Sequence, residues 1–149
     1  MKGSRRHHPW RHARDHHPAI EIITNCRLPD EEAGFWDGGG RIFLDRDLTQ
    51  RSRRSALAHE CAHVERGIVP VDAVLEAREE RAVDIIAARR LITVELLIDA
   101  LRWCRGVTGV ELADEVWTDQ HALNVRLASL TPAERAQITA ALADCDWVH

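Results

Sequence analysis

The chain has 149 residues, enough for one domain with a sizeable core, and apolar residues make up 45% of it. Its 20 Lys and Arg against 24 Asp and Glu leave a formal net charge of −4, which argues against nucleic-acid binding by bulk electrostatics. The most apolar run, "LITVELLIDAL" (91–101), is short and carries Glu95 and Asp99, so it cannot span a membrane.

Residues 1–17 form a basic, histidine-rich arm. Lys2, Arg5, Arg6, Arg11 and Arg14 stand against one acid, Asp15, so the remainder of the chain is clearly acidic. The arm holds five of the nine histidines. Its low apolar content predicts a solvated segment or a frayed helix around Trp10–His16, with metal capture by the histidines as the sharper alternative. No apolar secretory segment follows, so no signal peptide is expected. Cys26, Cys61, Cys104 and Cys145 form neither a CxxC pair nor a disulfide framework, which suits a reducing cytoplasm.

Residues 18–106 read as one core and 107–149 as a helical segment of the same compact domain. "AIEIITNCRL" (19–28) is β-branched and bounded by Pro18 and Pro29, which predicts a strand. "GFWDGGGRIFLD" (34–45) places two apolar runs around Gly38–Gly40, which predicts a hairpin. Together they suggest a small antiparallel sheet of about three strands in an α+β fold, followed by a mostly helical C-terminal half. Thr49 can cap a helix running to Arg66, with Gly67 ending it. Asp72 can cap the next helix, and Thr93 divides that helix from one ending at Gly106. "TGVE" (108–111) and "TPAE" (131–134) are capping-box patterns. Thr118 can cap "DQHALNVRLASL", whose Leu123, Leu127 and Leu130 form a helical apolar stripe.

The chemistry is concentrated in "SALAHECAHVERG" (55–67). Residues four apart on a helix share a face, so His59 and His63 can aim at one point. Zinc takes nitrogen ligands at about 2.0–2.1 Å in tetrahedral array, and this spacing supplies two. Glu60 lies about 100° further round the helix, where it can hold a water rather than ligate. This is the H-E-x-x-H arrangement of zinc hydrolases. Leu57, Ala58, Cys61, Ala62 and Val64 are small or apolar, so part of the helix can be buried, with Cys61 a core residue away from the ligands.

A catalytic zinc needs a third protein ligand and an open position. "REERAVD" (78–84) on the following helix offers Glu80, with Asp84 one turn on to accept a hydrogen bond from the outer nitrogen of His59. Glu79 and Glu76 are the competing third ligands. In such a site zinc polarises a carbonyl and activates water, and Glu60 moves the proton as general base. The chain has no tyrosine. An oxyanion donor must therefore be His121, an arginine or a backbone N–H.

"HECAH" followed by "EERAVDIIAARRLI" resembles the ImmA/IrrE family of zinc metallo-endopeptidases, in the small form carried by actinobacterial phages and mobile elements. "GFWDGGGRIFLDRDLTQRSRRSALAHE" resembles the family's strand, glycine turn, strand and helix entry, and the likeness covers roughly residues 18–131. It implies a cytoplasmic, zinc-dependent endopeptidase acting on helix-turn-helix repressors. It also implies His59, His63 and Glu80 as ligands of one Zn2+ and Glu60 as general base. Ala82 departs from the pattern, since many members carry a second glutamate there.

Two other readings compete. A metal-containing module can bind a repressor without cleaving it. A DNA-binding regulator can use residues 107–130, where "VTGVELADEVWTDQHALNVRL" weakly resembles a helix-turn-helix. Residues 111–146 set Glu111, Asp114, Glu115, Asp119, Glu134, Asp144 and Asp146 against Arg126 and Arg135, which favours packing or substrate recognition over DNA. Trp36, Trp103, Trp117 and Trp147 are expected in the core or as groove walls. Strand "RIFLD" (41–45) is a candidate sheet edge for an extended substrate.

Overall fold

A computed structural model describes residues 6–146. Helix α1 (Pro9–His16) leads into β1 (Glu21–Cys26), β2 (Gly34–Trp36) and β3 (Arg41–Asp45). Six helices follow: α2 (Gln50–Arg66), α3 (Ala73–Leu91), α4 (Val94–Trp103), α5 (Val110–Val116), α6 (Gln120–Ala128) and α7 (Pro132–Ala141). The class is the expected α+β, with a mostly helical C-terminal half.

The sheet is mixed rather than antiparallel throughout. Its order is β1-β3-β2, with β1 parallel to β3 and β2 antiparallel to it. The β2–β3 hairpin forms as its glycine turn suggests, and Gly38 takes φ 78°, a conformation that a side chain disfavours. The segment 27–33 crosses the sheet end instead of reversing tightly, and Asp45 accepts the Leu28 N–H at 2.7 Å there. That crossing delivers β1 to the outer side of β3. Strand β3 is therefore central and paired on both sides, so it is not the edge. Strand β2 is the edge beside α2.

Most helix starts follow their caps. Thr49, Asp72 and Thr93 accept N–H groups of the first turn of α2, α3 and α4. Thr131 and Glu134 complete the capping box of α7. Gly67 closes α2 by donating its N–H to His63 at 2.9 Å. The helix α4 ends at Trp103, and a turn carries the chain to Gly106. Two expected caps do not form. Gly109 stands at the start of α5 with no side-chain cap, so "TGVE" is no capping box. Asp119, not Thr118, caps α6 through Ala122 N–H; Thr118 is fully buried and gives its hydroxyl to the Asp119 carbonyl.

Two apolar clusters hold the chain together. One joins Leu91, Leu97, Leu112, Val116 and Leu123, with Leu127 and Leu130 packed against it as the stripe predicted. The other joins the sheet through Ile42 and Leu44 to Leu57 and Cys61 of α2 and Ala13 of α1. Of the two expectations for the arm, the helix is the one that forms, and the described part, residues 6–17, is docked rather than solvated: Pro9 and Ala13 are buried, and Arg54 of α2 donates to the His7 carbonyl at 2.7 Å. Trp103 and Trp117 are exposed, at 77% and 44%, because their helices end where the chain turns into solvent. Trp147 lies outside the described residues. Among the described residues no helix is long and apolar enough to cross a membrane.

Candidate metal centre

Helix α2 presents His59 and His63 one turn apart, with ring centroids at 4.8 Å and edge-to-face. Helix α3 packs beside it and brings up Glu80. His59 Nε2 lies 3.1 Å from Glu80 Oε2, and His63 Nε2 lies 2.7 Å from Glu80 Oε1. One donor atom from each of the three falls within 4.8 Å of the other two. Tetrahedral zinc with bonds of about 2.0–2.1 Å sets its ligand atoms ~3.3 Å apart, close to the 3.1 and 2.7 Å that separate the two imidazole nitrogens from Glu80.

Asp84, one turn beyond Glu80, meets His59 Nδ1 at 2.9 Å through Oδ1. Asp84 accepts the Nδ1–H of His59, which leaves Nε2, the nitrogen hydrogen-bonded to Glu80, as the one a metal would take in place of its proton. The other oxygen of Asp84 meets His121 Nε2 at 3.1 Å. The two rival carboxylates fall elsewhere. Glu79 is claimed by Arg66 through contacts of 2.6 and 3.1 Å. Glu76 is exposed and is not among the three converging groups.

The charge balance favours a cation. Three carboxylates, Glu60, Glu80 and Asp84, surround two imidazoles. Burial alone would lower the pKa of His59, but hydrogen bonds to Asp84 and Glu80 and the charges of Glu60 and Glu80 raise it to about 10. The contacts with His59 and His63 hold the Glu80 carboxyl well below the usual range. Burial pushes the Asp84 carboxyl up, but its bonds to His59 and His121 bring it below the ordinary value. Glu60 moves the other way: it is 5% exposed, and desolvation raises its pKa against the opposing pull of His59 and His63.

These residues line a cleft of about 580 Å³ between the sheet and α6. Glu32, Gly34 and Trp36 form one wall, and His121 and Val125 stand opposite. Among the described tryptophans of that expectation, Trp36 is the one placed as a groove wall. Cys61 is buried in the core behind the site, where desolvation pushes its thiol up to about 12.

Sequence reasoning missed two features. Gly34 packs directly on Glu60: a Cβ there would stand 3.0 Å from Glu60 Cγ. Nothing in "EEAGFW" announces that approach. The other is a second converging group, His12, His17 and Glu65, on the far side of α2. The histidines were visible in the sequence, but Glu65 carried no signal that it would meet them.

The helix pair α5 and α6 offers no basic reading face. Arg126 is 2% exposed and committed to Glu134 at 2.6 Å and to the Ile92 carbonyl at 2.7 Å, so it cannot reach a phosphate. Arg51 pairs with Asp114. Comparison of the chain with protein-family models, with curated proteins and with solved structures returned no match.

Proposed function

We propose that this protein is a zinc-dependent endopeptidase that acts in the cytoplasm on a helix-turn-helix repressor. The observation that carries the reading is the convergence of His59, His63 and Glu80 in an open cleft also lined by the buried Glu60. The repressor as substrate rests on the likeness of "HECAH" and "EERAVDIIAARRLI" to the ImmA/IrrE family. The cytoplasm is supported by free Cys26, Cys61, Cys104 and Cys145.

His59, His63 and Glu80 would hold a zinc ion, which when bound would supply Lewis acidity for a scissile carbonyl and an attacking water. Asp84 orients His59 and strengthens it as a ligand. Glu60, desolvated and raised in pKa, takes the proton of the attacking water and returns it to the leaving nitrogen. His121, 69% exposed and lining the same cleft, is the candidate donor to a developing oxyanion. An extended substrate pairs with the edge strand β2, which puts its backbone along the wall next to Glu60.

The test is cleavage of purified helix-turn-helix repressors encoded near the gene, read by mass spectrometry of the fragments. Zinc-loaded protein should cut one of them at a defined bond. Glu60→Gln should bind zinc and the repressor and leave it intact. Repressor binding by both proteins with no cleavage by either would favour the non-catalytic module.

A further inference from the structure

Behind the candidate centre, the histidine-rich arm meets the same helix. Glu65 is two residues past His63, about 200° round α2, and so faces the opposite side. Its Oε1 receives His12 Nε2 at 2.6 Å and His17 Nε2 at 2.9 Å. Its Oε2 is held by Arg90 Nη2 at 2.5 Å. The His12 and His17 side chains are only 15% and 14% exposed, so the convergence is a packed feature rather than a chance surface contact.

His12 and His17 are five apart in sequence. They share a point because α1 ends at His16, and His17 leaves the helical path at φ −133°. The regular partner, His16, is exposed. The turn out of the helix therefore aims an imidazole at Glu65 that an uninterrupted helix would have carried away. Two ring nitrogens then crowd one carboxylate oxygen. A borderline divalent cation takes imidazole nitrogen and carboxylate oxygen together, and the donor atoms here lie within 4.8 Å of one another. Arg90 leaves Oε1 to the cation and fixes the carboxylate by its other oxygen.

We propose that His12, His17 and Glu65 form a second zinc site, distinct from the candidate centre, that pins the arm to the helix bearing His59, Glu60 and His63. It owes nothing to peptidase activity and stands whether or not the protein cleaves a substrate. The role is structural: the ion joins α1 to α2, two elements otherwise held by Ala13, Arg54 and a small apolar contact.

The experiment uses the full chain, stripped with chelator, reloaded with zinc and gel-filtered before elemental analysis. The unaltered protein should hold about two zinc ions per chain. Glu65→Gln and His17→Ala should each hold about one, and His63→Ala should also hold about one. Glu65→Gln keeps every arm histidine, so retention of both ions in it would mean loose capture by the arm and would overturn the site. One ion in the unaltered protein, lost in His63→Ala and kept in Glu65→Gln, would overturn it equally. The remaining ion in Glu65→Gln reports that α2 is still folded.

A second readout is tryptic cleavage after Arg14 in His63→Ala, where only the second site remains. Zinc at ten times its dissociation constant should slow cleavage about 10-fold, because the arm must release the ion to open. The same zinc should leave the rate unchanged in His63→Ala/Glu65→Gln. Equal slowing in both would contradict the proposal.

Discussion

The approach of Gly34 to Glu60 makes the position of the proposed general base open to a single-methyl test. In Gly34→Ala the new Cβ meets Glu60 Cγ at 3.0 Å, Oε1 at 3.1 Å and Cδ at 3.4 Å. Comfortable carbon–carbon contact begins near ~3.5 Å, so Glu60 must move by about 0.5 Å. The backbone at Gly34 lies outside the left-handed region, so alanine adds a collision and no dihedral strain. Misplacing a reacting group by about 1 Å can cost roughly 100-fold, and half of that displacement implies about 10-fold, or ~1.4 kcal/mol of barrier. Glu60 borders the cleft and can yield toward it, so stability should fall by only about 1 kcal/mol, near 3 °C in melting temperature. The assay compares turnover of a peptide the unaltered protein cleaves, zinc content and thermal unfolding. A 10-fold loss of turnover with unchanged zinc is the expected outcome. Full turnover at unchanged zinc would show that Glu60 is not held where the account places it.

Asp84→Ala should leave the proposed zinc ligands in place but weaken zinc binding by about 10- to 100-fold, because His59 loses its orienting carboxylate; competition with a chromophoric chelator measures this. Glu134→Gln should cost about 3 kcal/mol in urea unfolding, because Arg126 stays buried without its charge partner. The same pair sets an acid dependence. Hydrogen bonds from Arg126 and from the Thr131 backbone hold Glu134 at about 2, against an ordinary 4.5. Its contribution is therefore complete above pH 4.5 and is lost as pH falls toward 2, a slope that Glu134→Gln should flatten. Leu123→Ala, at a fully buried position, should destabilise by about 2–5 kcal/mol in the same assay.

Local chemistry was legible in the sequence wherever one turn of chain decided the outcome. Thr49, Asp72, Thr93 and Thr131 start their helices because the side chain and the N–H it accepts are neighbours. His59, His63 and Glu80 were legible for a related reason: helical periodicity fixes which residues share a face, and two adjacent helices then suffice to close the group. Where tertiary placement decided, sequence was silent. Strand β1 joins β3 in parallel because residues 27–33 cross the sheet, and no periodicity encodes that path. The arm docks through Ala13 and Arg54 although its composition is that of a solvated segment. Asp119 displaced Thr118 as the cap of α6 because burial of Thr118 turned its hydroxyl inward. Gly34 against Glu60 joins a strand to a helix across 26 positions and was legible only in the fold.

The central claim is that His59, His63 and Glu80 hold a zinc ion beside Glu60. It is tested most directly by zinc content per chain in the 149-residue protein, beside His63→Ala and Glu80→Ala. The account predicts that His63→Ala loses one equivalent of zinc and that Glu80→Ala binds it far more weakly, with both variants folded by circular dichroism. Equal zinc in all three proteins, or none in the unaltered protein after zinc is supplied, would leave a helix with two histidines and remove the basis for a peptidase.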